Sequence, residues 1–223
     1  MSLWTLKGQF KGGGRNDLSE WGGHWHTETA APGCYGTAMP TDPNPPLRTP
    51  RLRLDPQVAG HAEAMLKVLA DPRVHLYIPS DPPTDLTALR ARYERLESRR
   101  STDGHELWLN WTVFADSAVI GTMQATVNVA EGVAEVAYVF GPLSWGQGYA
   151  TEAMRALLDF LHTGLGLTRF RAHLDTRNAA SARLAERLGF VRVAELKGAD
   201  EFKGVVSDEY VYELHSPVPP AQT

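Results

Sequence analysis

Cysteine is all but missing from this chain. Cys34 stands alone among 223 residues. That excludes an internal disulfide and makes a reducing, cytoplasmic setting the expectation. No apolar run approaches the ~20 residues that a bilayer-spanning helix needs. The opening "MSLWTLKGQFKGGG" lacks a hydrophobic stretch of signal-peptide length. A strong excess of either charge is missing too: 22 Lys and Arg against 26 Asp and Glu leave a formal charge of −4. Nothing in that balance calls for a nucleic-acid or anionic-membrane partner. His24 and His26 flank Trp25, but no Cys or suitably spaced third ligand accompanies them, so no metal site is expected.

What is present is an ordinary globular mix, 43% hydrophobic and 22% charged, of a size for one domain with an appendage. The appendage is residues 1–46, which hold 8 of the 20 glycines, 5 of the 15 prolines and 3 of the 6 tryptophans. Neither the strand nor the helix period survives there for long, so an irregular arm is expected. Trp4, Trp21 and Trp25 argue that it packs on something, either the main body or a second copy in a homodimer. Residues 47–215 form the regular domain, and 216–223 are a short tail.

From Leu47 the pattern becomes periodic. "RTPRLRLDP" reads as a strand with Leu52 and Leu54 on one face. Val58, Ala62, Met65, Leu66 and Leu69 fall at helical spacing and Pro72 closes that helix. Leu86, Leu89, Tyr93 and Leu96 mark a second helix, capped by Thr84 or Asp85, with Arg90, Arg92, Arg95, Arg99 and Arg100 as a basic, solvated outer face. "HELWLNWTVF" and "AVIGTMQATVNV" alternate across a tight turn at residues 115–117 and predict a β-hairpin. "GVAEVAYVF" is a third sheet strand. Ala150, Ala153, Met154, Leu157, Leu158 and Leu161 then form one apolar helical stripe. "LTRFRAHL" is a strand, and "NAASARLAERLGF" a helix that Asn178 caps and Gly189 ends. "RVAEL" and "DEYVYEL" close the chain as strands. The order predicts an α/β fold: a mixed sheet with helices on its faces.

Between the third sheet strand and the striped helix lies "WGQGYAT", with Gly146 and Gly148 one residue apart. The pair permits a tight strand-to-helix turn. It also permits a loop whose N–H groups, with the exposed N–H groups of the helix start, converge on one phosphate. A P-loop would need a Gly-Lys-Ser/Thr end, and no lysine lies here. A dinucleotide fingerprint would want Gly or Ala where Thr151 stands.

"WGQGYATEAMRALLDF" followed by "NAASARLAERLGF" resembles the GNAT superfamily of acetyl-CoA-dependent N-acetyltransferases, and within it the RimJ/RimL-like branch of ribosomal-protein alanine acetyltransferases. The resemblance runs from about Leu47 to Leu214 and includes "LRTPRLRL", "LADPRV", the "IG" of the hairpin and "YVYEL". It implies a mostly antiparallel central sheet with one splayed strand pair and helices on both faces. Trp145 stands where the family's pyrophosphate motif carries Gln or Arg, which removes a side-chain donor and leaves the backbone cradle.

The resemblance further implies that Trp145, Gly146, Gln147, Gly148, Tyr149, Ala150 and Thr151 wrap the CoA pyrophosphate. It implies that Ala137, Tyr138, Val139 and Phe140 splay from the neighbouring strand and pair with the pantetheine arm. Asn178 then sits near the thiol end and Ser181 near the sulfur. The Val139 N–H is the expected oxyanion donor, and Ser181 the partner of the leaving thiolate. Asp200 and Glu201, expected in a loop, and Glu135, on the strand entering the groove, compete as general base. The expected reaction is direct transfer from acetyl-CoA to a primary amine, on a protein N-terminus or a small molecule. The alternative is a non-catalytic acyl-CoA sensor or scaffold.

Overall fold

The computed structural model describes residues 42–215 and the backbone of Ser2 and Leu3. Cys34, the three N-terminal tryptophans, His24, His26 and the tail 216–223 lie outside the described residues.

Among the described residues the strands are β1 (Ser2–Leu3), β2 (Leu47–Arg48), β3 (Leu52–Pro56), β4 (Glu106–Ala115), β5 (Ala118–Asn128), β6 (Val133–Phe140), β7 (Arg169–Asp175), β8 (Val191–Phe202) and β9 (Val205–His215). The α-helices are α1 (Ala62–Leu69), α2 (Leu86–Leu96), α3 (Tyr149–Thr163) and α4 (Ala179–Arg187). The sheet order is β2-β3-β4-β5-β6-β7-β9-β8, with β1 attached to β6. Every pairing is antiparallel except β6 with β7. That one parallel neighbour follows from chain order, since α3 is the crossover between β6 and β7.

The expected stripe on α3 is the core-forming one. Ala153, Met154, Leu157, Leu158 and Leu161 are buried against Trp111, Phe140 and Phe170 of the sheet. Each large aliphatic side chain so buried stabilises the fold by about 1.5–3 kcal/mol. On the opposite face α1 and α2 enclose a smaller cluster of Ala62, Met65, Leu89, Tyr93 and Leu96. Asp85 caps α2 by accepting from the N–H groups of Thr87 and Ala88, and Asn178 caps α4 by accepting from the Ser181 N–H. Gly189 follows α4 with φ 90°, in the left-handed region expected after a helix end.

Two features depart from the sequence reading, and a third adds to it. Residues 200–201 are not in a loop: β8 runs on to Phe202 and turns into β9 through Lys203 and Gly204, both at positive φ. Such a two-residue turn matches strand twist and lets the hairpin continue where charged residues suggested irregular chain. The basic face of α2 is only partly solvated. Arg92 is half-buried, and the loss of solvent pulls its guanidinium below its usual pKa, while Arg99 donates to the Gln57 carbonyl. Finally, residues 44–45 pack against the sheet. Asn44 is fully buried and donates to the Asn110 carbonyl, while the Trp111 indole donates to the Pro45 carbonyl at 2.8 Å.

Candidate active site

β6 and β7 run side by side for three residue pairs, Val133 with Arg169, Ala134 with Phe170 and Glu135 with Arg171. Beyond Glu135 they part. β7 continues along β9 to Asp175, and β6 continues along β5 to Phe140. The β6 edge so released lies inside the sheet, and Ser2 and Leu3 pair with it antiparallel opposite Val139 and Tyr138. The splayed pair expected of residues 137–140 is therefore present, and its free edge accepts an extended chain.

After β6 a short 3-10 turn, Pro142–Ser144, leads into the glycine loop. The Trp145 indole donates to the Phe140 carbonyl at 2.7 Å, so Trp145 closes the turn. Gly146 and Gly148 have φ of 76° and 78°. A residue with a Cβ is strained there, and that alone accounts for both glycines. A Cβ on Gly146 would meet nothing within 4 Å, so the outer side of the loop is open. Gly148 is the N-cap of α3, and the N–H groups of residues 149–151 are those that a helix start leaves without intrahelical acceptors.

Arg51 was not singled out from the sequence, yet it organises this loop. Its guanidinium donates to the Gln147 carbonyl at 3.0 Å and to Glu152 at 2.7 Å, and it stacks 4.7 Å from the Tyr149 ring. Burial alone would raise the Glu152 carboxyl; the hydrogen bonds from Thr49 and Arg51, with the Arg51 charge, outweigh it and hold the pKa below its ordinary value. Glu152 thus already complements the α3 dipole, and Arg51 supplies positive charge beside the open loop. A loop with left-handed glycines, a helix start and an adjacent guanidinium fits a diphosphate group.

Below the loop, on the α3 and α4 side of β6, the Tyr138 hydroxyl lies 3.0 Å from the Ser181 hydroxyl. Both are buried. Burial pushes the Tyr138 phenol well above its usual pKa, the Ser181 hydrogen bond offsetting only part, so this is a neutral hydroxyl pair. Asn178 and Ser181 sit at the start of α4, facing β6 across the splay. Hydrogen bonds thus tie Ser181 to Tyr138 and Trp145 of the glycine loop to Phe140, while Asn178 caps α4 beside Ser181.

The three carboxylates divide. Glu135 sits at the last β6–β7 pair and is half-buried. Asp200 lines a small cavity with Tyr77, Asp175, Ser207, Asp208 and Glu209 at the β7–β9 end. Glu201 is exposed and points away from Asp200 along the strand alternation.

With that geometry in view, comparison with known proteins gives one answer. The Acetyltransferase (GNAT) domain family matches residues 51–191. The chain is similar to N-acetyltransferase p20 of Bacillus licheniformis, 30% identical over 169 residues, which is 75% of this chain and 94% of the relative. It is also similar to the FsC-acetyl coenzyme A-N(2)-transacetylase of Aspergillus fumigatus, 27% identical across 67% of this chain and 66% of the relative. Among solved structures, a probable acetyltransferase of the GNAT family from Chromobacterium violaceum superposes with TM-score 0.68 at 26% identity, covering 83% of this chain and 94% of the other. The RimL ribosomal L7/L12 alpha-N-protein acetyltransferase superposes with TM-score 0.67 at 18% identity over 77% of this chain and 94% of its own, a likeness of fold alone.

Proposed function

We propose that this chain, which belongs to the GNAT acetyltransferase family, moves an acetyl group from acetyl-CoA to a primary amine by direct transfer. The single observation that carries this reading is the β6 edge released from β7 and leading into the glycine loop and the start of α3 at Tyr149. An extended acyl-pantetheine arm pairs with residues 137–140 as an added strand does. The pyrophosphate rests on residues 145–151 with Arg51 beside it. The Val139 N–H expected as oxyanion donor faces Thr122 of β5, because Gly141 donates to Ile120 in the same register and ladder pairs alternate. The thioester carbonyl on the free edge then meets the Tyr138 N–H instead, a fixed donor to the oxyanion that develops there. Ser181, held by Tyr138, faces the departing thiolate.

Direct transfer suits the residue set. The lone thiol, Cys34, falls in the arm outside the matched region, which supports a ternary complex over an acetyl-cysteine route. The resemblance to the RimJ/RimL-like branch makes peptide N-termini the first acceptors to test. The sensor alternative is the weaker reading, because the relatives named above are acetyltransferases.

The test is release of free CoA thiol from acetyl-CoA with a panel of N-terminal peptides, polyamines, aminoglycosides and amino acids. Amine-dependent release supports the proposal. Tight acetyl-CoA binding with no release across the panel supports the sensor. With an acceptor in hand, Ser181→Ala should lower kcat at least about tenfold and leave acetyl-CoA affinity nearly unchanged, because the thiolate charge arises only at the transition state.

A further inference from the structure

The apex of the fork between β6 and β7 encloses a cavity that no step above uses. Val136 of β6 and Ala172 of β7 are the first residues past the last shared pair, Glu135 with Arg171. Both belong to the core that α3 and α4 cover. Between them and these helices lies a void of about 10 Å³. Met154 of α3 and Leu184, Ala185 and Leu188 of α4 supply most of the remaining wall. None of these six residues is more than 4% exposed, and none brings a side-chain nitrogen or oxygen to the void.

Its place in the fold relates it to the hydroxyl pair. Along β6 the step from Tyr138 to Val136 is one side-chain period, ~6.6 Å. Along α4 the step from Ser181 to Leu184 and Ala185 is one helical turn, ~5.4 Å. Both steps lead from the Tyr138–Ser181 hydrogen bond toward the apex. A pantetheine arm that enters from the glycine loop, at the Phe140 end of β6, runs the same way. With its sulfur at Ser181, the acyl group that follows is aimed at the void. The wall atoms facing an empty space forfeit dispersion contacts, and a water entering there would find no hydrogen-bond partner. An apolar group that fills the space restores those contacts.

We propose that this cavity is an acyl subsite with room for one carbon more than acetyl, so that the chain transfers propionyl as well as acetyl groups. The proposal rests on the acetyltransferase reading. The neutral acceptor nitrogen attacks the thioester carbonyl of propionyl-CoA, the C–N bond forms and the C–S bond breaks. The thiolate leaves with the bonding electrons and takes up one proton, the nitrogen having lost one, so the products are the propionamide and free CoA. The terminal methyl, which acetyl-CoA lacks, occupies the cavity. A void of about 10 Å³ is close to the least that holds one water-sized group, so a butyryl chain overfills it.

The wall sets the chemical class of the acyl group. An acyl chain ending in a carboxylate, such as succinyl, would bury a charge with no partner, which is costly, so the subsite selects neutral chains. Two positions fix its length. Val136 is paired with Ala125 of β5 and Ala172 with Tyr212 of β9, so neighbouring strands hold both in place. A larger side chain at either fills the void from the sheet side. Met154 is the adaptable wall, because an unbranched thioether settles into gaps of irregular shape.

The test is a donor series of acetyl-, propionyl-, butyryl- and succinyl-CoA, bound to the full chain and followed by calorimetry, which needs no acceptor. Propionyl-CoA should bind roughly threefold to fivefold tighter than acetyl-CoA, the gain for one buried methylene, and butyryl- and succinyl-CoA more weakly than propionyl-CoA. Val136→Ile and Ala172→Val, which fill the void from different strands, should each cancel the propionyl advantage. Leu184→Ala enlarges the void and should move the preference toward butyryl-CoA. Propionyl-CoA bound no tighter than acetyl-CoA by the wild type overturns the proposal, even if every variant fails to fold. A propionyl advantage that survives in a folded filling variant overturns it too, since the extra methyl then lies elsewhere. With an active amine, kcat/KM for propionyl-CoA should at least equal that for acetyl-CoA and fall below it in the filling variants. The expected order of affinities with no amine acylated leaves the subsite standing and counts against the acetyltransferase reading instead.

Discussion

The two halves of β6 have the same sequence character and opposite situations. Val133–Glu135 are paired on both edges, to β5 and to β7. From Val136 to Phe140 the β5 pairing continues while β7 has gone, and two residues of the chain's own N-terminus occupy part of the freed edge. An unpaired edge is normally a liability that proteins cover. Here it lies inside the sheet, between a glycine loop and the start of α4, where an added strand of ligand can be recognised along its length. The comparison teaches that the functional surface is a missing hydrogen-bond partner, built by sending β7 elsewhere. The Tyr138–Ser181 hydroxyl pair then lies on one face of the sheet beyond the point of separation.

The harshest way to break the comparison is to push the second half of β6 out of line. Gly121 on β5 sits opposite Phe140, and a Cβ there would collide with the Val139 carbonyl and touch the Phe140 ring. Backbone cannot yield as a side-chain end can. Gly121→Ala should cost about 1–3 kcal/mol, which at this size lowers Tm by roughly 2–12 °C. It should also weaken acetyl-CoA binding, because the displaced strand is the one proposed to hold the pantetheine arm. A variant of wild-type Tm and affinity would show that the β5–β6 contact relaxes freely.

The next largest effect belongs to the loop that follows. Gly148→Asp adds a side chain at φ 78° and a negative charge beside the proposed pyrophosphate. A ligand that binds only the native state raises Tm, and acetyl-CoA should do so for the wild type and not for this variant. An undiminished shift would remove the glycine loop from the site.

Removing β1 asks whether the freed edge is contested. A chain beginning at Asp42 keeps Asn44 and Pro45 in place and lacks Ser2 and Leu3. If β1 occupies the pantetheine edge part of the time, apparent affinity is reduced by the occupied fraction. Truncation should then tighten acetyl-CoA binding by about twofold to tenfold, measured by calorimetry. Unchanged affinity in a folded truncation would mean that β1 and the ligand do not compete.

Much of this was legible in the residues, and the losses have physical reasons. The α3 stripe, the Asp85 and Asn178 caps and the β4–β5 hairpin are local patterns, and the structure holds them where the periods placed them. The glycine loop was legible because positive φ leaves a mark in sequence. The far end of β8 was not, since Gly198 and the charges before Lys203 imitate a loop. Yet Gly198 sits within a register shift between Leu196 and Asp200, and Lys203–Gly204 make the turn. Arg51 with Glu152, and the cavity where Val136 and Ala172 meet α4, were illegible for a different reason. Each depends on strand register or on chain segments far apart in sequence, and single-residue patterns carry no register between strands.

The smallest expected effect sharpens the charge balance at the loop itself. Glu152 lies in the first turn of α3, where it both pairs with Arg51 and opposes an incoming anion. Glu152→Gln should therefore act in two directions. Stability should fall slightly, because the Arg51 side chain is half exposed and such pairs contribute about 1 kcal/mol or less. The Glu152 pKa is lowered in the folded state, so its contribution is complete above the ordinary carboxyl value of 4.5 and fades as pH falls through the folded one. The Tm difference between wild type and variant should be constant near neutrality and shrink below that value. Acetyl-CoA affinity should rise, by roughly twofold to fivefold at low salt, as one opposing charge at the helix start is worth 0.3–1 kcal/mol, and the gain should fade in molar salt. Weaker binding by the variant would mean that Glu152 holds Arg51 in the orientation the pyrophosphate needs, and that this positioning outweighs the charge it brings.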